Sequence, residues 1–215
     1  MSQSTLKWLR LATPGLIILV FYAILGRLTG LWLMSLPHNF KDALLSGNVL
    51  IPAGVYCLLP FRTWANQRYF DAVSENLRSK MVHASGLPDE PAVYTWKALR
   101  GVFYHLVDND RSLSKKASLA YFNGFIWTTC ADIRVVAYTY VCIAGFFYWI
   151  GFKGSMPAIV LFLTIATSSY VASAVATRRH KLIGDEQIEI IQLYHRDELR
   201  RSLEDIHSRG YNAGN

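Results

Sequence analysis

Four long apolar runs, separated by short charge-bearing stretches, constrain this chain more than any other feature. The runs cover residues 11–36, 43–61, 135–152 and 156–176. A helix rises about 1.5 Å per residue, so roughly 20 apolar residues cross a hydrocarbon core of about 30 Å. Only 17% of the residues are charged, whereas a typical soluble domain has roughly 25%. We therefore predict an all-α, polytopic membrane protein with four transmembrane helices.

The first two runs form a predicted transmembrane hairpin within residues 1–61. Lys7 and Arg10 precede the first run, as basic residues precede a secretory signal. However, the apolar part of a signal peptide is roughly 7–15 residues long and ends at a small-residue cleavage site. The first run is longer and shows no convincing cleavage motif, so we interpret it as a retained anchor. Pro52 and Gly54 interrupt the second run, although membrane helices tolerate both residue types.

The last two runs form a second predicted hairpin over residues 135–176. Only residues 153–155 separate them, and Pro157 follows at once. This leaves room for a tight turn between two antiparallel helices and for no other structure. We therefore expect the two spans to pack directly against each other.

The distribution of basic residues sets the predicted orientation, because cytoplasmic flanks of membrane helices carry an excess of Lys and Arg. With a cytoplasmic N-terminus, only Lys41 and Lys153 of the 22 Lys and Arg lie outside, and Arg27 lies within a span, which leaves 19 on the cytoplasmic side. We predict a bacterial inner (cytoplasmic) membrane protein with both termini in the cytoplasm. The same topology explains the net charge of +7, so we infer no specific nucleic-acid binding.

Residues 62–134 and 177–215 form the predicted cytoplasmic part. Apolar residues at helical spacing predict a helix after the second run, another around residues 93–106, and a third in the C-terminal tail. Residues 117–130 are apolar again, but too few residues follow them for a return across the membrane. This segment is either an interfacial helix or an extension that continues into the third span. We expect a small helical domain rather than disorder.

Arg27 is the sharpest candidate for a functional residue. It lies between Gly26 and Gly30, a frame of small residues that lets another helix approach closely. An ionisable residue inside a membrane is by default a functional hypothesis. We favour helix packing, with the long side chain snorkelling to the headgroups, over a place in a pore lining. We expect no acidic partner within a span, because Asp42 and Asp132 lie at span ends.

The fourth run contributes two further groups of candidates. Ser168 and Ser169 belong to a hydroxyl-rich stretch that suits close helix packing or, as the alternative, a polar pathway. Just past the run, Arg178, Arg179 and Lys181 anchor the predicted topology, and they are candidates for contact with anionic lipid headgroups.

Sequence motifs for catalysis or metal binding are missing. The chain has no GxGxxG, Walker A, nucleophile-elbow or HExxH motif. His195 and Glu198 lie on a charged helix of the kind that usually faces solvent. The three cysteines show no CxxC spacing. We therefore expect neither an enzyme nor catalytic residues, metal ligands or a cofactor.

By elimination, we expect a non-enzymatic inner-membrane subunit of a multi-protein assembly, such as a secretion or conjugative DNA-transfer apparatus. Its partners would be the lipid bilayer and other membrane subunits, or further copies of itself. A self-assembling pore or channel effector is the alternative, with Arg27 and the fourth span lining its path. A small transporter is a third hypothesis, disfavoured because the two halves show no clear repeat.

Overall fold

The computed structural model describes residues 3–31 and 47–213 of the chain. Within these ranges it consists of α-helices and connecting turns, without a strand, so the all-α prediction is confirmed. The described helices are α1 (Gln3–Thr29), α2 (Gly47–Leu58), α3 (Phe61–Ser85), α4 (Trp96–Asn109), α5 (Arg111–Trp149), α6 (Ser155–Tyr194) and α7 (Arg196–Ala213).

Three helices among the described residues, rather than the predicted four, are long and apolar enough to cross a membrane: α1, α5 and α6. The chain is thus a membrane protein, but the prediction of four transmembrane helices is wrong, because the described residues hold three. The described part of the second predicted span is α2, whose 12 residues rise about 18 Å, short of the roughly 30 Å core. α2 ends at Leu58, two residues before Pro60, because the residue before a proline is disfavoured in a helix.

Parts of the predicted N-terminal hairpin lie outside the described residues. These are residues 32–36 of the first run, the predicted outer loop 37–42, and residues 43–46 of the second run.

The segment 117–130, which allowed two interpretations, is part of one continuous helix. α5 runs through it without a break and continues into the third predicted span, for 39 residues in all. α6 likewise continues from the fourth span through the basic residues 178–181 into the tail, for 40 residues. Each of these helices rises about 60 Å, twice the hydrocarbon thickness.

Contacts divide the chain into two compact units. The first comprises Met1–Gln67 with Phe125–Val175, and the second comprises Arg68–Gly124 with Ala176–Asn215. Each long helix therefore contributes residues to both.

The core of the first unit combines aromatic rings with small residues. Three rings lie together with centroids 5.1–5.7 Å apart, and the surrounding alanines are fully buried. The rings belong to Phe21, Tyr140 and Phe162, and the alanines are Ala137, Ala144, Ala158 and Ala166. Alternation of large and small side chains lets helices interdigitate without voids.

Two glycines of the first unit mark close backbone approaches. A β-carbon on Gly15 would collide with the carbonyl oxygen of Val49, which explains how tightly α1 and α2 pack. A β-carbon on Gly154, in the turn between α5 and α6, would collide with the carbonyl oxygen of Leu28 near the end of α1. Gly154 also has a φ of 79°, a conformation that side chains other than glycine rarely adopt.

The second unit has a leucine-rich core supplied by α4, α5 and α7. Its most buried side chains include Leu99, Leu106, Leu113, Leu199 and Leu203.

Asp110 joins two helix junctions of the second unit. It lies between α4 and α5, and its carboxylate accepts the N–H groups of Ser112 (2.6 Å) and Leu113 (3.0 Å) as an N-cap. The same carboxylate is 2.9 Å from Nε2 of His195, the residue between α6 and α7. The hydrogen bond to His195, followed by those to the backbone, lowers the pKa of Asp110 to about 2.

Candidate functional site: a buried charge cluster

A bidentate ion pair lies inside the first unit. Arg62, near the start of α3, donates from Nε to Oδ1 of Asp132 (2.9 Å) and from Nη2 to Oδ2 (2.7 Å). Asp132 lies on α5 and is only 1% exposed. Nη2 of Arg62 also donates to the carbonyl oxygen of Arg10 on α1 (2.9 Å). One guanidinium group thus ties α1, α3 and α5 together.

Arg134, two residues further along α5, makes a separate set of contacts. It is 7% exposed, and its guanidinium donates to the carbonyl oxygen of Ala65 and to Oγ of Ser173 (3.5 Å). The guanidinium carbon also lies 5.5 Å from the centroid of the Tyr170 ring, within the range of a cation–π contact. Arg134 therefore connects α5 to α3 and α6.

Burying charged groups inside the first unit costs free energy, and the direct contact between Arg62 and Asp132 offsets that cost. Burying a pair is tolerable only where contact is direct and the remaining hydrogen bonds are satisfied. Inside membranes, ionisable residues face the protein interior and pair with one another or with backbone carbonyls. The bidentate Arg62–Asp132 pair and its carbonyl contact meet these conditions. The arrangement is suited to holding helices in register.

Sequence reasoning did not predict the contacts of these three residues. Asp132 was expected at a span end, and Arg62 and Arg134 at the two ends of the cytoplasmic loop 62–134. The structure pairs Arg62 with Asp132 and gives Arg134 contacts with α3 and α6. Asp132 is the acidic partner of Arg62. The sequence signal that could have predicted this pair is the opposite charge of Arg62 and Asp132, each of which borders an apolar stretch.

The frame around Arg27 lies at the end of α1. α1 ends at Thr29, and Gly30 has a φ of 76°. The N–H of Gly30 donates to the carbonyl oxygen of Gly26 (2.9 Å), so Gly30 terminates the helix, as a glycine does in a C-cap. Gly26 is buried, whereas Arg27 is exposed in the last turn, where the helix dipole favours a cation. Gly26 therefore lies within the last turns of α1, and Gly30 lies just past its end.

Ser168 and Ser169 lie on different sides of α6. Ser169 is buried, and its hydroxyl donates to the carbonyl oxygen of Cys130 on α5 (2.8 Å). Ser168 is exposed on the outward face, where it lines a shallow groove with Thr164 and Thr167. The two serines therefore belong to different surfaces.

The predicted lipid-contact residues follow the fourth span directly. Arg178 and Arg179 are exposed, and Lys181 is half-buried. Between them, His180 lies 3.2 Å from the side-chain amide of Asn123 on α5.

The described residues contain no group of three or more His, Cys, Asp or Glu side chains arranged to hold a metal ion. The chain matches no protein-family model, no curated protein and no solved structure. Support for a function therefore comes from the placement of its own side chains.

Proposed function

We propose that the chain is a non-enzymatic integral membrane subunit that joins a larger assembly through the outward face of α6. The observation that supports this is the cluster of Thr164, Thr167 and Ser168 on that face. Small and hydroxyl-bearing residues are enriched where membrane helices meet, because they let backbones approach closely. Ala172 continues the face one turn further.

Polar side chains on the inner face of α6 already serve packing within the chain. Ser169 donates to Cys130, and Ser173 donates to the carbonyl oxygen of Ser169 (2.9 Å). On the outer face, Thr164 and Thr167 donate to carbonyl oxygens one turn back in their own helix (2.8 and 2.9 Å). Their hydroxyl groups are thus satisfied in lipid, while the narrow surface remains available to another helix.

The packed core favours a subunit role over a path through a single chain. Phe162 and the alanines around it have no exposed surface, so the interior of the first unit is filled by side chains. A pore, the alternative function, would have to form between copies, with Thr164, Thr167 and Ser168 facing the lumen.

The proposed setting is the one expected from the sequence. It is a bacterial inner membrane, and the assembly is of the secretion or conjugative DNA-transfer kind. Further copies or other membrane subunits would occupy the α6 face.

Size measurement of the protein extracted from its native membrane in mild detergent tests this proposal. We expect a complex larger than the monomer for the unmodified chain. Thr164→Leu combined with Ser168→Leu should shift it towards the monomer, because two bulky side chains hold the partner helix away. The matched control is Thr139→Leu with Cys142→Leu, two exposed positions on α5, which should leave the size unchanged.

A monomer in every case would overturn the proposal, as would equal dissociation by both pairs of substitutions. Purified protein in liposomes provides the second measurement. If the protein conducts ions and Thr164→Leu changes that conductance, the pore function is supported and the proposed subunit function is refuted.

A further inference from the structure

Contacts between α5 and α6 indicate where the bilayer ends on each helix. The apolar part of α6, from Met156 to Ala176, rises about 30 Å and matches the hydrocarbon core. The side-chain amide of Asn123 on α5 donates to the carbonyl oxygen of Ala176 (2.9 Å), so Asn123 marks the same level on α5. Asn123 precedes Arg134, the predicted flank of the third span, by 11 residues, or about 16 Å along the helix.

The surface just beyond this level is apolar on both helices. Leu119 and Phe122 of α5 are 50% and 46% exposed, and Leu182 of α6 is 55% exposed. All three lie within about 9 Å of the Asn123–Ala176 contact, measured along their helices. Leu119 and Phe122 thus fall within the headgroup layer, which adds roughly 5–8 Å on each side of the hydrocarbon core, and Leu182 lies at its outer edge. An exposed apolar cluster of this kind marks a surface that another phase or molecule covers.

Basic side chains share the same level. Arg178 and Arg179 follow Ala176 directly and are exposed. Helix surfaces that combine leucine and phenylalanine with arginine are typical of membrane interfaces, where apolar groups enter the acyl boundary and cations meet lipid phosphates. Charge complementarity selects anionic lipids over zwitterionic ones.

We infer that Leu119, Phe122, Leu182, Arg178 and Arg179 form a collar that lies in the headgroup layer and binds anionic phospholipid. The collar extends lipid contact from the basic end of α6 to α5. Segment 117–130, although continuous with the third span, then also contacts the membrane interface. The inference is independent of what occupies the outward face of α6.

Membrane depth can be measured directly with a fluorophore at single introduced cysteines in a cysteine-free background. Phe122→Cys and Leu182→Cys test the collar, and Tyr104→Cys on α4, which is 51% exposed, is the control. In vesicles of phosphatidylcholine and phosphatidylglycerol, we expect headgroup-attached quenchers to quench positions 122 and 182. A water-soluble quencher should reach only position 104. Equal access of the water-soluble quencher to all three positions would overturn the inference and point to a protein partner on this surface.

Lipid selectivity tests the two arginines. The detergent-solubilised protein should retain phosphatidylglycerol in preference to phosphatidylcholine, and inorganic phosphate should not displace it. Arg178→Gln with Arg179→Gln should reduce this preference on the order of tenfold, whereas Lys97→Gln with Arg100→Gln, exposed on α4, should not. Displacement by inorganic phosphate, or an equal loss in both variants, would refute a lipid site at the collar.

Discussion

The two units differ in how far the carboxylates of their ion pairs are exposed to solvent. In the first, Asp132 is 1% exposed, and Arg62 holds it with two hydrogen bonds. In the second, Arg78 is buried, but its partners Glu75 and Asp89 are 63% and 44% exposed. Water hydrates those carboxylates with or without the arginine, whereas little water reaches Asp132. Loss of the ion pair should therefore destabilise the first unit strongly and the second unit only slightly.

Hydroxyl groups of the first unit sharpen this comparison. Two of its buried hydroxyls form contacts between helices: Ser169 bonds Cys130, and Tyr140 bonds the carbonyl oxygen of Ile18 (2.9 Å). Against this background, an outward cluster of hydroxyl side chains on α6 is unusual. A similar group of exposed hydroxyl side chains on the second unit would not indicate a partner, because polar residues there ordinarily face water.

The largest effect is expected from Asp132→Asn. It should cost on the order of 3–5 kcal/mol, because removing one partner of a buried pair leaves the other charge uncompensated. Unfolding of the detergent-solubilised protein measures this. The control in the second unit is Glu75→Gln, expected to cost about 1 kcal/mol or less, since its carboxylate is exposed.

The double variant Arg62→Met/Asp132→Leu separates charge from packing. It should recover much of the stability lost in Asp132→Asn, because apolar groups of similar volume can replace a buried pair. Equal costs for Asp132→Asn and Glu75→Gln would abolish the distinction between the two units.

Gly154→Ala is expected to have the next largest effect, again in the first unit. Its left-handed conformation alone costs about 1–3 kcal/mol for another residue, and the β-carbon would also collide with the Leu28 carbonyl. Gly145→Ala is the matched control, because Gly145 lies inside α5 and its β-carbon would meet no atom within 4 Å. A gain of up to about 1 kcal/mol is expected there. Similar losses at both glycines would show that the turn is not tightly packed.

Acid should weaken the second unit through Asp110. Since the folded-state pKa is lowered to about 2, from about 3.9 in an unfolded chain, the carboxylate contributes its full stabilisation above pH 4. That contribution disappears as the pH falls towards 2. The stability difference between the unmodified chain and Asp110→Asn should therefore shrink between pH 5 and pH 2. A difference that does not vary with pH would exclude this role.

The smallest effect is expected from Arg200→Gln. Arg200 and Glu204 form an exposed i,i+4 pair on α7 (2.9 Å), and such pairs contribute about 0.3–0.5 kcal/mol. Salt titration of the unfolding midpoint checks this, because the contribution should vanish at high ionic strength. A loss comparable to that of Asp132→Asn would contradict the proposed contrast.

Composition and the length of the apolar runs predicted the membrane-spanning, all-helical class. Both can be read from the sequence without any knowledge of tertiary contacts. The described part of the second predicted span is shorter than expected partly because α2 ends at Leu58, two residues before Pro60, and the count of apolar residues over 43–61 does not register such a break. The pairing of Arg62 with Asp132 could not be predicted, because the two residues lie 70 positions apart and only tertiary packing brings them together. For Gly26 and Gly30, spacing did not show that the helix ends between them; the positive φ of Gly30 places that residue past the helix end.

The outward face of α6 is tested most directly in the native membrane. A photo-crosslinking side chain placed at Ser168 should give a discrete protein adduct, either a second copy or a single other subunit. The same side chain at Thr139, exposed on α5, should give only lipid adducts. Lipid adducts at both positions, or identical protein adducts at both, would contradict the proposal that α6 carries the assembly surface.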